Sequence, residues 1–399
     1  MYKTSNFSSF NLQKISEILF LLFGFSLPFS VALTFFCMGL IVIFSFIRAW
    51  SLGWRKVFKI THLVWFGLAW LTIHTLGILW TNDPYAAFEP WKKAFYLASI
   101  PIFMGAFGPK LFKKSLASYI LGIVVYHFIL HAMHLGLIEF ESLKFGGTPF
   151  IPRIHYSPLL LFTIFILAHW QKKWSTKYRI ASSLLIISLL VSLIIIEGRS
   201  GQILFAIIIP FWVLLETRKW IYFWGTVLGI FITLCILFTS LHSFQKRYVQ
   251  IQEQWDRFQK GDIYSSMGQR FHHIRVCWSV FLKSPVIGHG TGSYRIEHDK
   301  VWPIYERGRI NYNPHNQYLM SGVQFGIVGL ILFISLFFMQ IRDFIKFNQH
   351  PFRPMLLILP VMFSLICFID THLYGTQTLT MFIYMSSILY HPDWKSYNQ

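Results

Sequence analysis

The chain has 399 residues, of which 55% are hydrophobic and only 13% charged, against about 25% charged in a soluble globular protein. With a mean hydropathy of +0.52 and 19% aromatic residues, this composition excludes a soluble domain, a disordered chain, a coiled coil and, with four cysteines, a disulfide scaffold. The net charge of +19 superficially suits nucleic acid, but its distribution along the chain has a different explanation, given below.

A membrane-crossing helix needs about 20 apolar residues. The first apolar run, 17–47, is broken at Ser26-Leu27-Pro28. Proline disrupts a helix interior, so this run predicts two helices with a tight turn. Ten further spans are predicted over 61–80, 91–107, 116–136, 156–170, 180–196, 202–215, 220–241, 317–340, 355–370 and 373–390. The expected fold class is an all-α polytopic membrane protein of about twelve transmembrane helices with one long, partly helical loop. Residues 1–241 then hold nine spans, 242–316 form the loop, and 317–399 hold three spans and a C-terminal tail.

Twelve spans put both termini on one side. The short loops and termini there hold nineteen Lys and Arg, including Arg48, Arg55, Lys56 and Lys59 together and Lys172, Lys173, Lys177 and Arg179 together. The short loops opposite hold five: Lys92, Lys93, Lys144, Arg153 and Arg199. The positive-inside rule therefore places both termini in the cytoplasm. It also accounts for much of the surplus charge without a nucleic-acid partner. The partner implied is a lipid bilayer.

The long segment 242–316 holds eleven basic and six acidic residues, a surplus that favours an anionic ligand. Apolar spacing near the helical period predicts helices over 244–260 and 269–283, with Ser284-Pro285 ending the second. A turn-rich loop follows at Gly288-His289-Gly290-Thr291-Gly292.

Several residues could carry chemistry. Arg199 lies in Glu197-Gly198-Arg199-Ser200-Gly201, a short turn between two apolar runs. Arginine is costly at membrane depth, so it either snorkels to lipid phosphate or faces a protein cavity. Arg270 and Arg275, in Gly268-Gln269-Arg270-Phe271-His272-His273-Ile274-Arg275, read as a solvated basic face or as a phosphate clamp, since guanidinium grips phosphate bidentately. His315, in Asn313-Pro314-His315-Asn316-Gln317-Tyr318, stands where the loop re-enters the membrane. It is a helix-entry residue or a proton acceptor. Arg153 and His155 end the loop before 156–170 and either anchor at the interface or line the same cavity as Arg199. His127, His131 and His134 share one helical face, but no complete ligand signature accompanies them, and no metal is assigned. Asp83 reads as a turn residue.

Together these residues resemble the bacterial O-antigen ligases. His315-Asn316, nine residues, then Gly326-Ile327-Val328-Gly329 fits that family's pattern of His, Asn/Ser/Gln, nine residues, Gly, two residues and Gly, Thr or Tyr. Gly198-Arg199-Ser200-Gly201 resembles its short Arg-containing turn, with Ile203 rather than Leu four residues on. Gln269-Arg270, with Pro285 and Gly288-His289-Gly290 downstream, resembles its long periplasmic loop. The resemblance implies an inner-membrane glycosyltransferase with a periplasmic active site and no cofactor. It would move a glycan from undecaprenyl pyrophosphate to lipid A–core, with inversion and without metal. On it, Arg199 and Arg270 stabilise the leaving pyrophosphate and His315 is the general base. Arg153, His155, Arg275, His289 and Asn316 bind substrate. O-antigen polymerases and protein O-oligosaccharyltransferases share the superfamily and remain alternatives. A lipid-glycan transporter is a further one, although no internal repeat is evident.

Overall fold

The computed structural model describes residues 5–138, 148–196, 199–240, 242–302 and 312–394, and among these there are helices and turns but no strands. The first apolar run divides as its proline requires, into α1 (Ser5–Ser26) and α2 (Val31–Leu52). Ser30 caps α2, its Oγ accepting from Leu33 N at 3.2 Å, which satisfies one of the donors a helix start leaves open. A short α3 (Trp54–Val57) leads into α4 (His62–Leu76). The single span expected over 91–107 is instead α5 (Pro84–Ala98) and α6 (Ile100–Gly105). They part at Ser99, because Pro101 has no N–H to continue the ladder. Asp83 caps α5, accepting from Ala86 N at 3.0 Å.

There follow α7 (Phe112–His134), α8 (Arg153–Trp170), α9 (Thr176–Ile195), α10 (Arg199–Thr217) and α11 (Trp220–Ser240). The long segment carries α12 (His242–Gln259), α13 (Ser266–Lys283) and α14 (Tyr294–Val301). The first two match the expected helices, and the third was not anticipated. The chain closes with α15 (Gln317–Lys346), α16 (Arg353–Ile369) and α17 (Thr376–Leu389).

Each predicted apolar run is helical over most of its described residues. Among the described residues, seven stretches rather than twelve are long and apolar enough to cross a membrane: α2, His62–Leu79, α7, α9, Ser200–Thr217, α11 and α15, with α16 a shorter apolar helix. This is a multi-pass membrane protein. In the larger of two core clusters, Phe20 and Phe23 of α1 pack on Tyr384 of α17, at ring centroids 4.6 and 5.2 Å. α17 is central, buried from Gln377 to Leu389.

Helix α15 is broken at Gly326, whose φ of 59° and ψ of −150° are not helical. Such a break strands backbone carbonyls, which are costly to leave unpaired away from water. The turn after α13 fills the gap: His289 N donates to Val323 O at 3.0 Å and Gly290 N to Gln324 O at 2.8 Å. In return Ile327 N donates to Pro285 O at 2.8 Å. A Cβ at Gly326 would collide with the Val286 backbone, so this approach requires glycine.

Candidate active site

His315 sits at the entry to α15 in the left-handed region, φ 48°, where a non-glycine residue is uncommon and costs energy. The strain is held by its neighbours. Asn313 Oδ1 accepts from His315 N at 3.0 Å, an Asx turn, and also from Thr371 Oγ1 at 3.1 Å. Asn313 Nδ2 donates to Asp370 Oδ1 at 2.8 Å. Asn316 then caps α15, accepting from Leu319 N at 3.0 Å.

This elbow aims His315 Nδ1 at Asp370 Oδ2, 3.3 Å away, with side chains 22% and 14% exposed. Asp370 follows the last residue of α16. Its burial favours the neutral acid, but His315 and the Thr371 N–H, donating at 2.7 Å, outweigh that and hold the carboxyl well below its usual range. An ionised carboxylate beside one imidazole nitrogen orients the ring and leaves the other nitrogen to accept a proton.

A second group of polar side chains lies next to the dyad. His155, on the first turn of α8, and His372 have ring centroids 5.8 Å apart. His372 is fully buried, and neither ring nitrogen has a hydrogen-bond partner among the described residues. Burial, then the neighbouring His155, push it down to about 3, so it is neutral near pH 7. The His155 ring rests on Gly375, where an added Cβ would stand 2.6 Å from its Cε1. Gly375 opens α17 without a side-chain cap, and Lys93 Nζ donates to Thr376 Oγ1 at 2.8 Å. An uncapped helix start, an ammonium and buried imidazoles together suit an anion.

The other sequence candidates divide. Arg199 is the first residue of α10, and its side chain lies outside the described residues. Gly201 packs against Ser157 of α8, where an added Cβ would stand 2.6 Å from the Ser157 Cβ, so α10 begins beside the turn that carries Arg153 and His155. Arg153 is exposed there. Arg270 is exposed on α13, three residues before His273, whose ring lies 6.4 Å from that of His315. Arg275 instead lies over Phe258 of α12, 5.4 Å from its centroid. His289 faces away as well. Its Nε2–H donates to Val280 O at 2.9 Å and Nδ1 lies 3.6 Å from Glu297 Oε2, which ties the turn after α13 to α14. The α7 histidines bridge to α9: His127 and His131 each reach serine hydroxyls at 2.8 Å. Among the described residues no group of three or more His, Cys, Asp or Glu is placed to hold a metal.

Sequence reasoning missed Asn313, Asp370, Thr371, Lys93 and His372. One signal was available: Asp370 is an acid directly after an apolar run, and an ionisable group there is a functional-site candidate.

A family model described as O-antigen ligase matches residues 184–334, a stretch that includes Arg199, Arg270 and His315. No curated protein matches the chain.

Proposed function

We propose, from the match of residues 184–334 to a family model described as O-antigen ligase, that the chain transfers a glycan from a polyprenyl-pyrophosphate donor to a lipid A–core acceptor. The observation that carries this reading is the His315–Asp370 contact beside the polar basin of Lys93, His155, His372 and the start of α17. A base and an anion site are adjacent, as transfer from a pyrophosphate requires.

The acceptor hydroxyl attacks the anomeric carbon of the donor's first sugar. Its proton passes to His315 Nε2, while Asp370 steadies the imidazolium through Nδ1. The bond from the anomeric carbon to the phosphate oxygen breaks, and its electron pair stays on the pyrophosphate. Positive charge and aligned N–H groups stabilise that growing negative charge. Arg199 and Arg270, with Arg153, supply guanidinium groups, and Lys93 and the α17 N-terminus add an ammonium and backbone donors. Single displacement inverts the anomeric centre. It needs no covalent glycosyl-enzyme. Both termini are cytoplasmic and the reaction takes place on the periplasmic face of the inner membrane.

Lipopolysaccharide from a deletion strain tests the reading. The expected outcome is loss of the O-antigen ladder and accumulation of lipid-linked O-antigen. Core bearing a single repeat unit would instead identify a polymerase.

A further inference from the structure

Helix α13 is apolar on both sides. Its inner side, Val276, Cys277 and Val280, packs with Leu319, Met320 and Val323 at the start of α15. Its outer side carries Phe271, Ile274, Trp278 and Leu282, exposed by 38, 46, 58 and 57%. At 3.6 residues per turn these four share one face. Val286 and Ile287 continue it, at 59 and 54%. A run of large apolar side chains on a segment that is not itself a spanning helix demands a partner.

The position of α15 identifies that partner. Before the break at Gly326, residues 317–326 are buried or half-buried; from Ile327 onward, Ile327, Val328 and Ile331 are exposed. The exposed apolar side of α15 thus begins at Ile327 and ends before the charged Arg342 and Asp343, which puts the lipid edge near the break at Gly326. Val286 lies at that edge, its carbonyl accepting from Val328 N at 3.3 Å. α13 runs down beside α15 from His273, near His315, to this point. Its outer face is thus continuous with the lipid-facing side of α15. At its other end Phe271 stacks on Phe258 of α12, centroids 4.9 Å apart. Tyr248 of the same helix meets Phe238, near the end of spanning helix α11, at 5.8 Å.

We infer that the lower half of α13 and the turn after it form a wedge inserted into the bilayer without crossing it, with Leu282, Val286 and Ile287 among the acyl chains and Trp278 at the headgroup level. Indole rings favour that level. Lys283, next to the face, reaches lipid phosphate while its stem lies along apolar surface. The wedge fixes the height of the long segment above the lipid, and so the height of the site that α13 and α15 share.

Nitroxide labels on the full chain in lipid nanodiscs test this independently of any catalytic role. Cysteines replace Ile274, Trp278 and Leu282 one at a time, in a Cys235→Ser background, since Cys235 is the exposed native thiol. Ile287→Cys serves if Trp278→Cys does not elute like the parent. Glu253→Cys on the polar side of α12 is the aqueous reference. Power saturation with oxygen and with a water-soluble nickel chelate should give an oxygen-to-nickel accessibility ratio that rises from 274 to 278 to 282, several-fold above position 253 at the deepest site. A nickel accessibility at 282 equal to that at 253 would overturn the wedge. Protection of 278 and 282 from both reagents would also overturn it, and would assign the face to a second copy of the chain.

Discussion

Replacing Asp370 by Asn isolates the role of the dyad. The amide is nearly isosteric, so its oxygen can still accept from Asn313 Nδ2 and Thr371 N, at 2.8 and 2.7 Å in the parent. Only the atom facing His315 Nδ1 changes in kind. An NH2 donor there favours the tautomer with its proton on Nε2, the nitrogen that must accept from the acceptor hydroxyl. The imidazolium also loses its counter-charge. A positioned base contributes about 10²–10⁴-fold, and inverting the tautomer of a comparable triad costs about 10⁴-fold. Single-turnover transfer by Asp370→Asn should therefore fall about 10³-fold or more, equal to about 4 kcal/mol of transition-state stabilisation. Donor affinity should stay within a few-fold of the parent, because the leaving-group basin is untouched.

The assay is transfer from purified lipid-linked glycan to lipid A–core, with donor binding measured separately on variants that elute as the parent does. The His315→Ala, Asp370→Asn double variant should be no slower than the worse single variant, since groups acting as one unit are not additive. A rate for Asp370→Asn within about three-fold of the parent, or losses that multiply in the double variant, refutes the dyad. The pH dependence of stability supplies a cross-check with a fixed sign. The folded-state pKa of Asp370 is depressed, so its contribution is complete above the unfolded value near 4 and is lost as pH falls further, through the folded value. The difference in melting temperature between parent and Asp370→Asn should be flat from pH 8 to about 5 and shrink under more acid conditions.

Arg199→Lys and Arg270→Lys keep the charge but lose the planar fork; each should weaken binding of the pyrophosphate donor or slow its cleavage with any acceptor, and unchanged donor kinetics for both would remove the clamp. Purified enzyme should keep its transfer activity in excess chelator; loss reversed by one divalent metal would overturn the metal-free route. Gly326→Ala places a Cβ against the Val286 backbone at φ 59° and should destabilise the protein by at least about 1–3 kcal/mol, seen as a lower melting temperature in detergent. A reporter active only in the periplasm should work when fused at Lys283 and fail at Lys177 and at Gln399; activity at Gln399 would remove the twelve-span topology.

What the sequence makes legible is what one-dimensional spacing encodes. The Pro28 turn, the helices around 244–260 and 269–283 and the apolar helix from 317 all follow from proline chemistry and apolar period. The split of α5 from α6 was equally available at Pro101, but an unbroken apolar run outweighed it. Contacts between distant segments are a different matter. Asp370 stands 55 residues beyond His315, and nothing in its local sequence says which histidine it faces. Gly326 was read as part of a motif, while its physical role, admitting the Pro285–Val286 backbone, exists only once α13 lies against α15. His289 is a further case: in the sequence it stands in a glycine-rich turn, and only the fold brings its ring to Val280 and Glu297.

Two residues with positive φ, His315 just before α15 and Gly326 within it, stand eleven positions apart, and each is held by a segment distant in the chain. The turn after α16 holds the first through Asn313, Asp370 and Thr371. The turn after α13 holds the second through the carbonyls of Val323 and Gln324. Neither conformation would persist in an isolated helix, because a left-handed residue gains nothing from its own helical neighbours. The segment between them is therefore clamped at both ends, with α13 packed along it. The first clamp sets the direction of the His315 ring, and on the wedge inferred above the second sets its distance above the membrane. A lipid-linked donor presents its pyrophosphate at a fixed height over the bilayer. A base that must meet the sugar next to that pyrophosphate needs a fixed height as well, and the paired clamps on α15 provide it.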